Sequence, residues 1–122
     1  MPTVSDRALT PELALAYLGA LSTDIRAAAL LDDGGRLAAR SGVDDADSER
    51  LRGLVVDLFD QAARAATGDA PDQLEVALPE GSVFAVRVHG YTAAVVTGRY
   101  ALSSLMFYDL RMTLADLAGV TP

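Results

Sequence analysis

The sequence predicts an α+β fold, one mainly antiparallel five-stranded sheet in the order 2-1-5-4-3 with helices on both faces, from three observations. The spacing of apolar residues switches between a helical period and a period of two, giving helix, hairpin, helix, three strands, helix. The strands within each group are joined by turns too short for a crossover helix, which makes them antiparallel. Two of the alternating segments, 25–31 and 91–97, are apolar or small on both sides and belong in the middle of a sheet. Joining the hairpin to the three-strand meander through those two strands leaves the third strand at an edge.

Thr10-Pro11-Glu12 opens the first helix: a hydroxyl able to cap, a proline whose missing N–H costs nothing in the first turn, and an acid facing the exposed amides. Leu13, Tyr17, Leu18 and Leu21 recur at helical spacing and predict the buried face of a helix over about 11–21. From Asp24 the period becomes two, with Ile25, Ala27, Ala29 and Leu31 against Arg26, Ala28 and Leu30, and Arg26 near the start where it reaches solvent. Asp32-Asp33-Gly34-Gly35 follows. Its glycines supply the positive φ angles of a tight turn, whereas a divalent-cation loop needs more oxygen ligands at longer spacing and a phosphate loop needs its glycines to lead into a helix. The stretch is read as a chain reversal. The second strand, 36–41, carries Arg36 and Arg40 on one side, as suits an edge.

Asp44, Asp45 and Asp47 resemble a metal cluster on paper, yet acids directly before a helix are more simply its cap and first turn. Leu51, Leu54, Val55, Leu58, Ala62 and Ala65 mark one face of a helix to about Thr67, closed by Gly68, with Arg50, Asp57, Gln61 and Arg64 opposite. Gly53 interrupts it and reads as a point of close packing. Strands are expected over Gln73–Leu78, Val83–His89 and Tyr91–Thr97, joined by Pro79-Glu80-Gly81 and Gly90. A last helix from near Arg99 carries a stripe of Leu102, Leu105, Met106, Leu110, Leu114 and Leu117, with Asp109 and Thr113 at its boundary, and ends at Gly119 and the terminal Pro122.

At 122 residues the chain fits a single domain, 1–122, with its core over about 10–118. Hydrophobic residues make up 51% of it, in runs too short for a membrane span, so no membrane insertion is expected. The start, MPTVSDRALTPE, lacks a basic end followed by an apolar stretch, and with no cysteine the chain reads as cytoplasmic. Residues 41–80 carry ten acids and three arginines, so this third of the chain holds the whole net charge of −7. Such a field repels phosphate backbones and argues against nucleic acid as a partner.

A nucleophile needs a base in reach and a third group to orient it. The one histidine, His89, stands beside Gly90-Tyr91 with no supporting motif and reads as a structural or surface residue. Every acid is accounted for by a cap, a turn or a polar helix face. No catalytic, cofactor-binding or metal-ligating residue is therefore assigned, and no cofactor is expected. The chain offers instead apolar surface in excess of one core: the Leu51–Ala65 stripe beside Val56, Phe59 and Ala63, and the uncovered edge at Gln73–Leu78. A two-fold dimer would bury both.

The segments AAALLDDGGRLAARSG, RLRGLVVDLFDQAARAATG, LEVALPEGSVFAVRVHGYTAAVVTG and ALSSLMFYDLRMTLADL together resemble the Roadblock/dynein light chain family, which includes the LAMTOR subunits and bacterial MglB-like proteins. The resemblance covers about residues 10–118. It implies a profilin-like or longin-like fold and a homodimer through the third strand and second helix, here 72–78 and 47–67. It also implies a noncatalytic platform for a small Ras-like GTPase, in some bacterial members one that stimulates GTP hydrolysis by reshaping the GTPase. Arg36, Arg40, Arg87 and Arg99 are accordingly not assigned as arginine fingers. A reading from another class is a small-molecule sensor with a pocket around Phe84, Tyr91 and Met106, although such residues at regular spacing ordinarily form core.

Overall fold

The structure, a computed structural model, describes residues 9–120. Its elements are α1 (Pro11–Leu21), β1 (Ile25–Leu31), β2 (Leu37–Ser41), α2 (Asp45–Ala65), β3 (Gln73–Leu78), β4 (Gly81–Val88), β5 (Tyr91–Thr97) and α3 (Ser103–Ala118). The strands form one sheet in the order β2-β1-β5-β4-β3, every neighbouring pair antiparallel. This is the expected fold, with β5 central and β3 at an edge. The terminal Pro122 lies outside the described residues.

Local chemistry sets the starts of α1 and α2. The Thr10 hydroxyl accepts the Leu13 N–H at 3.1 Å, and the Asp44 carboxylate accepts the Asp47 N–H at 2.8 Å. Each bond satisfies an amide that the helix itself leaves open. Asp45 and Asp47 fill the first turn of α2, so the aspartate cluster is a cap. Gly119, at φ 72°, ends α3 in the left-handed conformation.

The sheet separates two cores. On one face α1 and α3 close over it: Ala14, Leu15, Leu18, Met106, Leu110 and Leu114 pack on Ala28, Leu30, Phe84, Val86, Ala93 and Val95. Phe84 and Phe107 meet edge to face with ring centroids 5.4 Å apart. On the other face α2 alone lays Leu51, Val55 and Phe59 on Ala29, Val83, Ala85 and Ala94.

The structure departs from the sequence pattern at several positions. In α1 the buried face is Ala14, Leu15 and Leu18, while Leu13, Tyr17 and Leu21 are exposed. PELALAYLGAL carries apolar residues all round, so its local period could not choose the flank that α3 covers. In α2 the buried row is Ser48, Leu51, Val55 and Phe59, and Leu54 and Ala65 lie outside it. That helix stops at Ala65 in an extended Ala66 cap, short of Thr67 and without using Gly68. Gly53 marks no close packing, since a Cβ there would meet nothing within 4 Å. The strand beginning at Val83 starts earlier, at Gly81, where a Cβ would collide with the Thr97 carbonyl oxygen, and it ends at Val88, before His89. The last helix begins at Ser103 rather than near Arg99. Leu102 and Leu105 are exposed, and Asp109 and Thr113 are buried rather than at the boundary.

Candidate functional site

Two features stand on the α2 face, one on each flank of that helix. Residues four apart share a flank, so Leu54 and Leu58 look toward one side and Val56 and Asp60 toward the other.

The first feature is the edge at β3. The Arg87 N–H donates to the Asp72 carbonyl at 2.8 Å, in register with the Gln73–Val86 pair of the ladder. Antiparallel pairs alternate between hydrogen-bonded and non-bonded. It follows that Leu74, Val76 and Leu78 bond to β4, while Gln73, Glu75 and Ala77 turn their backbone N–H and C=O groups outward. Leu74 and Val76 are half-buried against the α2 core, whereas Leu78 is 43% and Leu54 46% exposed. An unpaired strand thus lies beside uncovered apolar side chains, a template for another strand. Its start is held from the opposite face, where Arg111 binds Asp72 at 2.7 Å and Gln73 at 2.7 Å.

Much of the acidic charge nearby is locally spoken for. Asp45 pairs with Arg40 at 2.8 Å, Asp47 with Arg50 at 2.7 Å and Glu49 with Arg52 at 2.8 Å. Being exposed, each such pair adds at most about 1 kcal/mol. Among the described residues no group of three His, Cys, Asp or Glu side chains is placed to hold a metal ion, and no helix is long and apolar enough to cross a membrane.

The second feature is an open cleft of about 500 Å³ where the β1–β2 and β4–β5 turns meet α2. The Asp32–Gly35 stretch reverses the chain as expected. Gly35 N–H donates to the Asp32 carbonyl at 3.0 Å, and the Asp32 carboxylate accepts the Gly34 and Arg36 amides at 2.9 and 3.0 Å. Its tip also walls the cleft, a role the local pattern could not show. His89 (φ 56°) and Gly90 (φ 80°) form the opposite two-residue turn, with the positive angles that match strand twist. His89 is exposed there, at the rim. Arg87 lies between the turns with its guanidinium carbon 4.4 Å from the centroid of the Phe59 ring and its Nε donating to Thr92 Oγ1 at 3.0 Å.

Of the three residues considered for a pocket, Phe84 and Met106 are packed core and line neither described cavity, while Tyr91 borders the turn cleft. The other cavity, about 340 Å³, is a groove between α1 and α3 bordered by Tyr17, Leu21 and Met112. Beneath α3, burial pushes the Asp109 carboxyl above its ordinary value of 3.8.

A single five-stranded antiparallel sheet in this order, with two helices on one face and one on the other, defines the profilin-like class to which roadblock domains also conform. Within that class the chain has a roadblock-like fold. A Roadblock/LC7 domain from Streptomyces avermitilis superposes with a TM-score of 0.79 at 21% identity, over 90% of this chain and 96% of that one. Myxococcus xanthus MglB gives 0.70 at 14% identity, over 87% and 85%. Profilin IA of Acanthamoeba castellanii gives 0.55 at 14%, over 85% and 95%. No family model and no curated protein matches the sequence.

Proposed function

We propose that the protein is a noncatalytic homodimeric regulator or platform for a small Ras-like GTPase. The observation that carries this reading is the open β3 edge beside the Leu54 and Leu78 side chains, in a roadblock-like fold. Two copies related by a two-fold axis pair β3 with β3 and α2 with α2, joining two sheets into one and covering the surface each copy leaves bare. The dimer is the platform, and the GTPase partner follows from the resemblance of the four sequence segments.

Light scattering over a dilution series, alone and with a Ras-like GTPase of the same organism loaded with GDP or a GTP analogue, tests both parts. The expected result is a mass twice 12.8 kDa and a complex that depends on the nucleotide. Faster GTP turnover on mixing marks an activator, and unchanged turnover within a complex marks a platform. A monomer that ignores the GTPase in both states overturns the reading.

A further inference from the structure

The turn cleft holds opposite charges that the structure keeps apart. Arg87 is half-buried and fixed at two points, by the Phe59 ring under its plane and by Thr92 at its Nε. Among the described residues no carboxylate reaches salt-bridge distance of it, although Asp32, Asp33 and Asp60 all border the same cleft. The reason is mechanical: Asp32 is held in its own turn by the Gly34 and Arg36 amides, and Asp33 and Asp60 stand exposed on the two walls. Arg87 is thereby left with its terminal nitrogens unengaged by any described residue, the fork that receives a carboxylate in two parallel bonds.

A divalent cation has no set of converging oxygens here, since the described residues hold no such group. A phosphate ester would bring its charge against three carboxylates. A ligand carrying one carboxylate and one ammonium close together satisfies both signs at once. We propose that this cleft binds a small zwitterion of the α-amino acid type, its carboxylate on Arg87 and its ammonium between Asp33 and Asp60. The volume, about 500 Å³, is within the range of small-molecule sites, and Val56 and Tyr91 offer apolar surface for a side chain. The two turns come close at the rim, where a Cβ on Gly90 would stand 4.0 Å from an Asp33 carboxylate oxygen. Because Val56 and Asp60 occupy the flank of α2 opposite Leu54 and Leu58, the site stands apart from the β3 edge through which the dimer is proposed.

The test is an amide-resolved NMR titration of the full chain with each of the twenty common amino acids to about 20 mM, a range that covers weak binding. At least one is expected to shift the amides of 33–35 and 89–91 in a saturable way. Its N-acetyl and carboxamide derivatives should each bind about tenfold more weakly or worse, because each removes one charged partner. Arg87→Met keeps the aliphatic stem and should abolish binding. Asp60→Asn, at an exposed position that leaves the core intact, should weaken the amino acid while sparing the matching deaminated carboxylate. Silence of those amides throughout the titration, or capped forms that bind as well as free ones, overturns the proposal.

Discussion

The two faces of the sheet carry different amounts of cover. On one, α1 and α3 lie side by side and bury thirteen residues of a continuous apolar cluster, three of its leucines with 0% exposure. On the other, α2 alone covers the middle and leaves something open on each flank: the β3 edge with Leu54 and Leu78, and the turn cleft with Arg87. The first face has the burial that stabilises a small domain, and the second has the unpaired backbone and pinned charge that contacts require. On the proposed reading, the contacts fall on the α2 side of the sheet and the larger core on the other, with β4 and β5 contributing alternate residues to each.

That division can be broken by substitution. Leu110→Ala, beneath α3, leaves a cavity in the closed face and should lower stability by about 2–5 kcal/mol in chemical denaturation, without altering the mass of whatever remains folded. Glu75→Pro removes only an outward-facing N–H of β3. It should turn the proposed dimer into a monomer on light scattering, weakening association by about a hundredfold while Tm changes little for the single chain. If Glu75→Pro instead unfolds the protein and Leu110→Ala splits the dimer, the assignment of the faces is reversed.

Smaller effects sharpen the contrast. Gly53 lies on the outer side of α2 where a Cβ meets nothing, so Gly53→Ala should stabilise the chain by about 1 kcal/mol and leave its oligomeric state unchanged. Asp109 on the closed face should give the smallest effect, and only in one pH range. Burial raises its folded pKa above 3.8, so the folded state holds the proton more tightly than the unfolded one. Its contribution favours folding below about pH 3.8 and is lost as pH rises through the raised value. Asp109→Asn should therefore raise Tm at neutral pH and converge with the parent in acid; a constant offset across the scan would assign the change to packing instead.

Residue chemistry that acts over a few positions was legible along the chain. Thr10 and Asp44 cap because a short oxygen-bearing side chain reaches the amide three residues on, and the glycines of the two hairpins allow positive φ, wherever the rest of the molecule lies. The strand order could be read as well, since 25–31 and 91–97 are apolar on both sides and only a central place buries both. Tertiary structure decided the inward flank of α1 and the exact buried rows of α2 and α3, where Leu54 and Leu105 stay exposed beside Val55 and Met106. Leu13, Tyr17 and Leu21 offer an apolar flank as Ala14, Leu15 and Leu18 do, and only the positions of the sheet and of α3 separate them. Tertiary structure alone also made the cleft: Asp33 and Gly90 are far apart in sequence, and they become neighbours because β1 pairs with β5, which brings two turns of independent local logic to one end of the sheet. Caps and turns depend on nearest neighbours, whereas burial and juxtaposition depend on what the fold places alongside, and this sequence carries apolar residues on more helix flanks than its own helices can cover.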